Sequence, residues 1–528
     1  MFSVKSSIGE IQMNRFKQAI IGIALSSTLS SPVWAADLMI AVATEPRSLH
    51  PLAQALNSNH ELAKHAFNSL VEPSAKHSPT PGLAESWRAT DNPLVWEFKL
   101  RKGVKFHNGT PFTAKDVAFT YELVPNVPNS PSTYKRRTNK IAKVVVVDDH
   151  TLHIHTKTPY PLLPRSLSSV PIVSHTVGLE TDPTEFNNGN MLFGTGPYKF
   201  VEFVAGDHIT YTANKDYWGG KPKWDNVTIR WITSGPARVA ALLSGDVDMI
   251  ASVPTIDVAN LDANTDINVS CDQTSRLMYW SLDVSREFAD HITAKDGSQI
   301  KNPLRDLRVR QAFSIAIDRD AIVDEVMTGL AVPANQIAGE GFGGHNTNIP
   351  MPEYDVGRAK ALLAEAGYGD GFKLTIHATN NRYINDAKQA QAIGQMLSRI
   401  GIDVEVVTQP VSGYYGKLRK HEMTMALIGW ASATGEASSI LRPALSKGVR
   451  NNYGRWEHPK FNELIEGALS TVDMEKYDRL LQEATAVAMA DVPIIPTHFQ
   501  VACWAARKGL EYTPRADEST LAEYLNTK

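Results

Sequence analysis

The stretch that most constrains the fold lies between Asn302 and Ile428, where apolar strands and amphipathic helices take turns. "PLRDLRVRQAFSIAIDRDAIVDEVMTGL" holds two helices, the second capped by Asp318 and stopped at Gly329, and "DVGRAKALLAEAGY" is a helix with Asp355 as its cap and Gly367 as its stop. A strand is expected over 372–377, then a loop through Arg382, a helix to Ile400, a strand over 402–407, an irregular segment at Tyr414-Tyr415, and a strand over 423–428. Strands and helices of these lengths in alternation build βαβ units and a mainly parallel sheet, so the fold class is α/β. In such sheets ligands collect at the carboxyl ends of the strands, where loops expose polar backbone. Arg382 and Gly429-Trp430 follow two of these ends; Thr44-Glu45 and Ser252-Val253 hold the same kind of position earlier in the chain. Two α/β lobes with a site between them are expected.

The earlier part is more varied. Residues 38–42 read as a buried strand, and Leu62, Ala63, Ala66, Phe67 and Leu70 share one side of a helix. Trp96, Phe98 and Leu100 alternate with charged residues as in a half-buried strand, Asn108-Gly109 marks a turn, and Thr113 with Asp116 forms a helix-capping pair. Gly194-x-Gly196 lacks the further glycine and the lysine of a nucleotide loop, so the alternating segment after it is a hairpin. His153-x-His155, with His150 and Asp149 beside it, is the one metal-like pattern. Strand periodicity alone places those two histidines on one face, and the helical histidine spacing of a hydrolytic zinc site is missing, so no metal site is predicted.

A chain of 528 residues is expected to form two or three domains, and its formal net charge of −3 offers no footprint for nucleic acid or an anionic membrane. From Met13, an alternative start, Arg15 and Lys17 precede an apolar run from Ala19 to Leu25, and Val33-Trp34-Ala35 suits cleavage. Residues 1–36 therefore read as a secretory signal peptide, removed on export. No cysteine near the cleavage site provides for lipidation, so the mature chain is expected in a periplasm. Only Cys271 and Cys503 exist. Two unpaired buried thiols are the favoured reading; a single disulfide is the alternative in an oxidising compartment.

Several of these segments resemble the family 5 extracellular solute-binding proteins, the peptide- and nickel-binding components of ABC importers. "LAESWRATDNPLVWEFKLRKGVKFHNGTPFTAKDVAFTYE" is similar to that family's most distinctive stretch, and "GTGPYKF", "DYWGGKPKWDNVTIRWI", "LRVRQAFSIAIDRDAI" and "AKALLAEAGY" follow in the family's order. The resemblance implies a two-lobed periplasmic-binding-protein fold with an extra small subdomain in the first lobe, and hinge closure over a ligand. On that pattern the first lobe comprises 37–77, 191–270 and the C-terminal return 493–528, the inserted subdomain 78–190, and the second lobe 271–492. Both cysteines then lie near the crossover between lobes, which leaves their pairing open. Gly429-Trp430 matches the strand end that offers backbone groups to peptides, with Ala431 and Ser432 after it. The aspartate expected next is missing, and Glu436 is the only acid nearby. Arg382, followed by Tyr383, matches the arginine that grips a ligand carboxylate; His50 replaces an aspartate downstream of Thr44-Glu45.

The resemblance thus implies a monomeric, non-enzymatic binding component that captures a small-molecule or peptide ligand and delivers it to an ABC permease, with no cofactor. The alternative keeps the fold and changes the ligand to a metal chelate, a haem-like group, an opine or a sugar-phosphate conjugate. An exported hydrolase is a distant third, because neither a nucleophile elbow nor zinc-protease spacing occurs.

Overall fold

Two long antiparallel strands, Ile267–Leu282 and Ile494–Arg507, run through the middle of a sheet of twelve strands among the described residues. The computed structural model describes residues 36–127, 134–182 and 184–528; the expected signal peptide falls outside them except for Ala36. On one flank Ile267–Leu282 pairs with Met425–Ala431, which runs parallel to Lys373–Thr379, itself parallel to Asp403–Gln409. On the other flank Ile494–Arg507 pairs with Met249–Ile250, followed by Asp37–Val42 and Asn226–Trp231 in parallel and then an antiparallel hairpin. The expected parallel arrangement is therefore confined to two blocks. Helical crossovers make parallel neighbours within each block, whereas the central strands run antiparallel to each other, so the sheet is mixed.

Each flank has its own apolar interior, which gives the α/β fold its two lobes. Ile40, Val227 and Met249 belong to one core, and Met278, Ile376 and Leu427 to another. Cys271 and Cys503 stand opposite each other on the central strands and form a disulfide across 232 residues of sequence. The favoured expectation of two free thiols is corrected here, because a direct cross-strand pairing juxtaposes two residues that no local sequence pattern relates.

Residues 84–156 contribute a separate antiparallel sheet in the order Ala84–Ala89, Val95–Leu100, Thr151–Thr156, Ile141–Asp148. Trp96, Phe98 and Leu100 are buried as their alternation predicts, and they join the same core as Ile40, so this sheet packs onto that core. The Thr113–Asp116 capping box opens helix Ala114–Leu123. Two local expectations change. Gly429, Trp430 and Ala431 are still in a strand, because Arg276 and Leu277 continue the ladder alongside them. Tyr414 and Tyr415 lie on the helical segment Val411–Arg419, broken at Ser412 and at Gly413, whose φ is 86°.

Candidate functional site

The two central strands lose register between Gln273 and Leu277. Backbone freed from the ladder there is available for other partners, and Ser275 makes three hydrogen bonds to two residues. Its N–H donates to Ala516 O at 2.9 Å, its carbonyl accepts from Ser432 N at 3.2 Å, and its hydroxyl donates to Ser432 O at 3.1 Å. The C-terminal return and the loop after Met425–Ala431 are thereby fixed to one residue. Above this junction lies a cavity of about 230 Å³, floored by Ser275, Arg276 and residues 516–519. The start of helix Asn57–Ala66 and the turn at Pro73 and His77 close one side, Ala431–Ala433 another, and Tyr134, Arg137, Ser168 and Ser169 of the insertion a third. Arg165 ties two of these sides together, donating from one guanidinium nitrogen to His77 O and Thr434 O, each at 2.9 Å.

The floor is charged but internally balanced. Arg276 grips Glu518 with two hydrogen bonds, at 3.1 and 3.0 Å, and Arg515 grips Asp517 with two more, at 3.0 and 2.6 Å. Burial opposes ionisation of Asp517, yet the Arg515 guanidinium outweighs it and holds the carboxyl well below the usual carboxylate range. Burial, and then the charge on Lys64, pushes His60 down to about 3, and burial lowers His77 as well. Beneath the floor, burial raises the Glu61 carboxyl to about 8 despite a hydrogen bond from the Thr520 amide. Two buried polar atoms of the cavity lining, His77 Nε2 and the Tyr134 hydroxyl, have no hydrogen-bond partner among the described residues. Such orphans are rare in native interiors and call for an explanation, a bound molecule being one.

The residues singled out from the sequence are dispersed. Ala431 and Ser432 line the cavity. Trp430 is half-buried and leans on the second-lobe core. Gly429 and Tyr383 meet directly: the tyrosine hydroxyl donates to Gly429 O at 3.0 Å and also bonds Tyr415, while a Cβ on Gly429 would sit 2.5 Å from the Tyr383 ring. Arg382 is exposed beside this cluster, its Cζ 5.3 Å from the Tyr383 ring centroid, and Asp386 accepts from its backbone N–H and leaves the guanidinium alone. Thr44 is exposed in a separate small recess, and Glu45 accepts from Gly206 N at 2.9 Å. Glu436 is 2% exposed, and its carboxylate accepts from Thr434 Oγ1, Ser438 N and the Tyr477 hydroxyl, at 2.6, 2.6 and 2.8 Å. Of the residues singled out, the structure thus brings only Ala431 and Ser432 to the cavity; Thr44, Glu45, Arg382, Tyr383, Gly429, Trp430 and Glu436 do not line it. The two carboxylates are spent on local structure, which pairs a buried or turn-adjacent acid with the nearest donors. His50 is a core residue, its ring 4.0 Å from that of Phe186.

Sequence reading missed Arg276, Glu518, Asp517, Tyr134 and Arg137. The charged run "RADES" at 515–519 was the available signal, but its partners are more than two hundred residues away or within itself.

Comparison with known proteins agrees with this architecture. Residues 78–452 match the family described as bacterial extracellular solute-binding proteins, family 5 middle. Heme-binding protein A of Haemophilus influenzae is 28% identical over 470 residues, which covers 83% of this chain and 82% of that protein. The glutathione-binding protein GsiB of Pectobacterium atrosepticum is 28% identical over 486 residues, 89% of this chain and 90% of its own. The structure of HbpA2 from Haemophilus parasuis superposes with a TM-score of 0.83 at 26% identity, covering 93% of this chain and 100% of that one. Both curated relatives are named as binding proteins, not as enzymes. With a match over most of its length and a two-lobed α/β fold to accompany it, this chain belongs to the family 5 bacterial extracellular solute-binding proteins.

Proposed function

We propose that the protein is exported through its N-terminal signal, works in the periplasm, and captures a peptide or peptide-like solute in the cavity above Ser275 for delivery to an ABC permease. One observation carries this reading: the cavity lies where the central strands lose register, and segments from both lobes and the insertion converge on it. A small rotation about residues 273–277 would open or close it, and a solute that touches more walls in the closed form favours closure by that difference in affinity. The names of two relatives, one glutathione-binding and one heme-binding, support solute capture and leave two ligand classes in play. Because the carboxylates of Glu45 and Glu436 are engaged elsewhere, an acidic non-peptide solute is the second reading. The test is a melting-shift screen with reduced glutathione, dipeptides, tripeptides, haem and nickel–histidine. A solute bound only by the folded state at a hundred times its Kd adds about 2.7 kcal/mol to stability. Hydrolysis of a peptide without saturable binding would rule the reading out.

A further inference from the structure

Among the described residues, the cavity contains one cation that its surroundings do not balance. Arg276 and Arg515 have Glu518 and Asp517, and Lys64 has Glu72 at 2.8 Å. Arg137 lines the same cavity, is half-buried, and among the described residues no side chain or carbonyl accepts a hydrogen bond or forms an ion pair with its guanidinium. A guanidinium presents five N–H donors in a planar fork, and withdrawing them from water without acceptors is costly. One turn away, the Tyr134 hydroxyl is also unpartnered, on a residue only 1% exposed, with its ring 6.5 Å from that of His60. His60 is neutral, so it adds no second charge to this wall. Ser168 and Ser169 complete the wall. An anion placed here meets an unspent fork, while the carboxylates on the opposite side are already neutralised by their own arginines.

We infer that Arg137 is the specificity-determining anion receptor of the cavity, and that the solute presents a side-chain carboxylate, distinct from any terminal one, to the inserted subdomain. This rests on the proposed function and goes further, for it assigns the choice between acidic and neutral solutes to the insertion. The fork accepts a carboxylate through two parallel hydrogen bonds, which a lysine ammonium cannot reproduce. Removing a polar partner from such a closed site commonly costs one to three decades of affinity.

Isothermal titration of the full mature protein with the dipeptides Ala-Glu and Ala-Gln, and with reduced glutathione, provides the test. Wild type is expected to bind Ala-Glu at least tenfold more tightly than Ala-Gln. Arg137→Ala should weaken Ala-Glu by about 10- to 1,000-fold and abolish the preference, and Arg137→Lys should restore part of it. A structural role predicts a lower melting temperature for unliganded Arg137→Ala; the anion receptor predicts an equal or higher one, because an unbalanced buried charge has been removed. Retained Ala-Glu preference in Arg137→Ala, or an equal loss for both dipeptides together with a lower melting temperature, overturns this assignment and leaves the proposed function standing. A wild type that binds no solute in the wider screen overturns both.

Discussion

On the floor of the cavity Arg276 and Arg515 each meet a carboxylate through two hydrogen bonds; on the opposite wall, Arg137 meets none among the described residues. Arg276 and Arg137 are both partly buried, so between them the contrast is one of partners rather than exposure. A paired charge is part of the scaffold: it is expensive to break and indifferent to what enters the cavity. An unpaired one is a vacancy in the charge balance that a solute can fill. The same chemical group therefore acts as structure in one place and as selectivity in the other.

The floor offers the largest test of this contrast. Replacing Arg515 with Ala leaves Asp517 buried without its counter-charge, and the expected loss of folding stability is about 3 to 5 kcal/mol, read by chemical denaturation. A loss under about 1 kcal/mol would mean that solvent reaches the pair and that the floor resembles an ordinary exposed ion pair.

Acid provides the next. His65 is 2% exposed and held in one tautomer, its Nδ1–H donating to Glu61 O at 2.8 Å and its Nε2 accepting from Ala522 N at 3.2 Å. Burial lowers its pKa from 6.5 to about 4. In that window the unfolded chain binds a proton that the folded chain refuses, so the stability present above pH 6.5 is lost as pH falls toward 4, by about 2 kcal/mol at pH 5 for this residue. Glu61 works the other way: raised from 4.5 to about 8, it binds a proton in the folded state, and stability declines as pH rises through that interval. Because His50 and His498 are lowered to about 4 like His65, the histidines dominate below pH 6.5, and the melting temperature should peak near pH 6 to 7. His65→Gln should flatten the acid side; an unchanged acid limb would show that the imidazole is reached by water.

Arg382 supplies the smallest effect. It is unpaired like Arg137 but exposed, so water competes for its donors. Arg382→Ala should weaken solute binding by about 1 kcal/mol, roughly fivefold, with no change in melting temperature. A loss larger than that of Arg137→Ala would place the solute at the Tyr383–Gly429 cluster instead of against the cavity wall.

The sequence was informative where a pattern is local. Alternation at Trp96, Phe98 and Leu100, the Asp318 and Asp355 caps and the βαβ order around Lys373–Gln409 are all settled by neighbours within a few residues, and the structure contains each of them. The cavity was not legible in that way. Ser275 owes its role to a register break between strands more than two hundred residues apart, and Cys271 finds Cys503 through the same pairing. Glu436 reads as a candidate because it is the only acid near Trp430, yet burial turns it toward the Tyr477 hydroxyl. Arg137 lies in a polar run without periodicity, and nothing in its flanking residues signals that its guanidinium is left without an acceptor.

The placement of Ile494–Arg507 has a consequence for how the molecule is made. This strand sits between Met249–Ile250 and Ile267–Leu282, so a sheet begun by Asp37–Val42 is completed only by a segment near the end of the chain. As the polypeptide emerges in order, the second lobe has all its own strands before the first does, and the earlier lobe must wait with an open edge. Open strand edges invite pairing with other chains. Slow emergence or premature truncation should therefore be most damaging to the N-terminal half, although the missing residues lie at the opposite terminus.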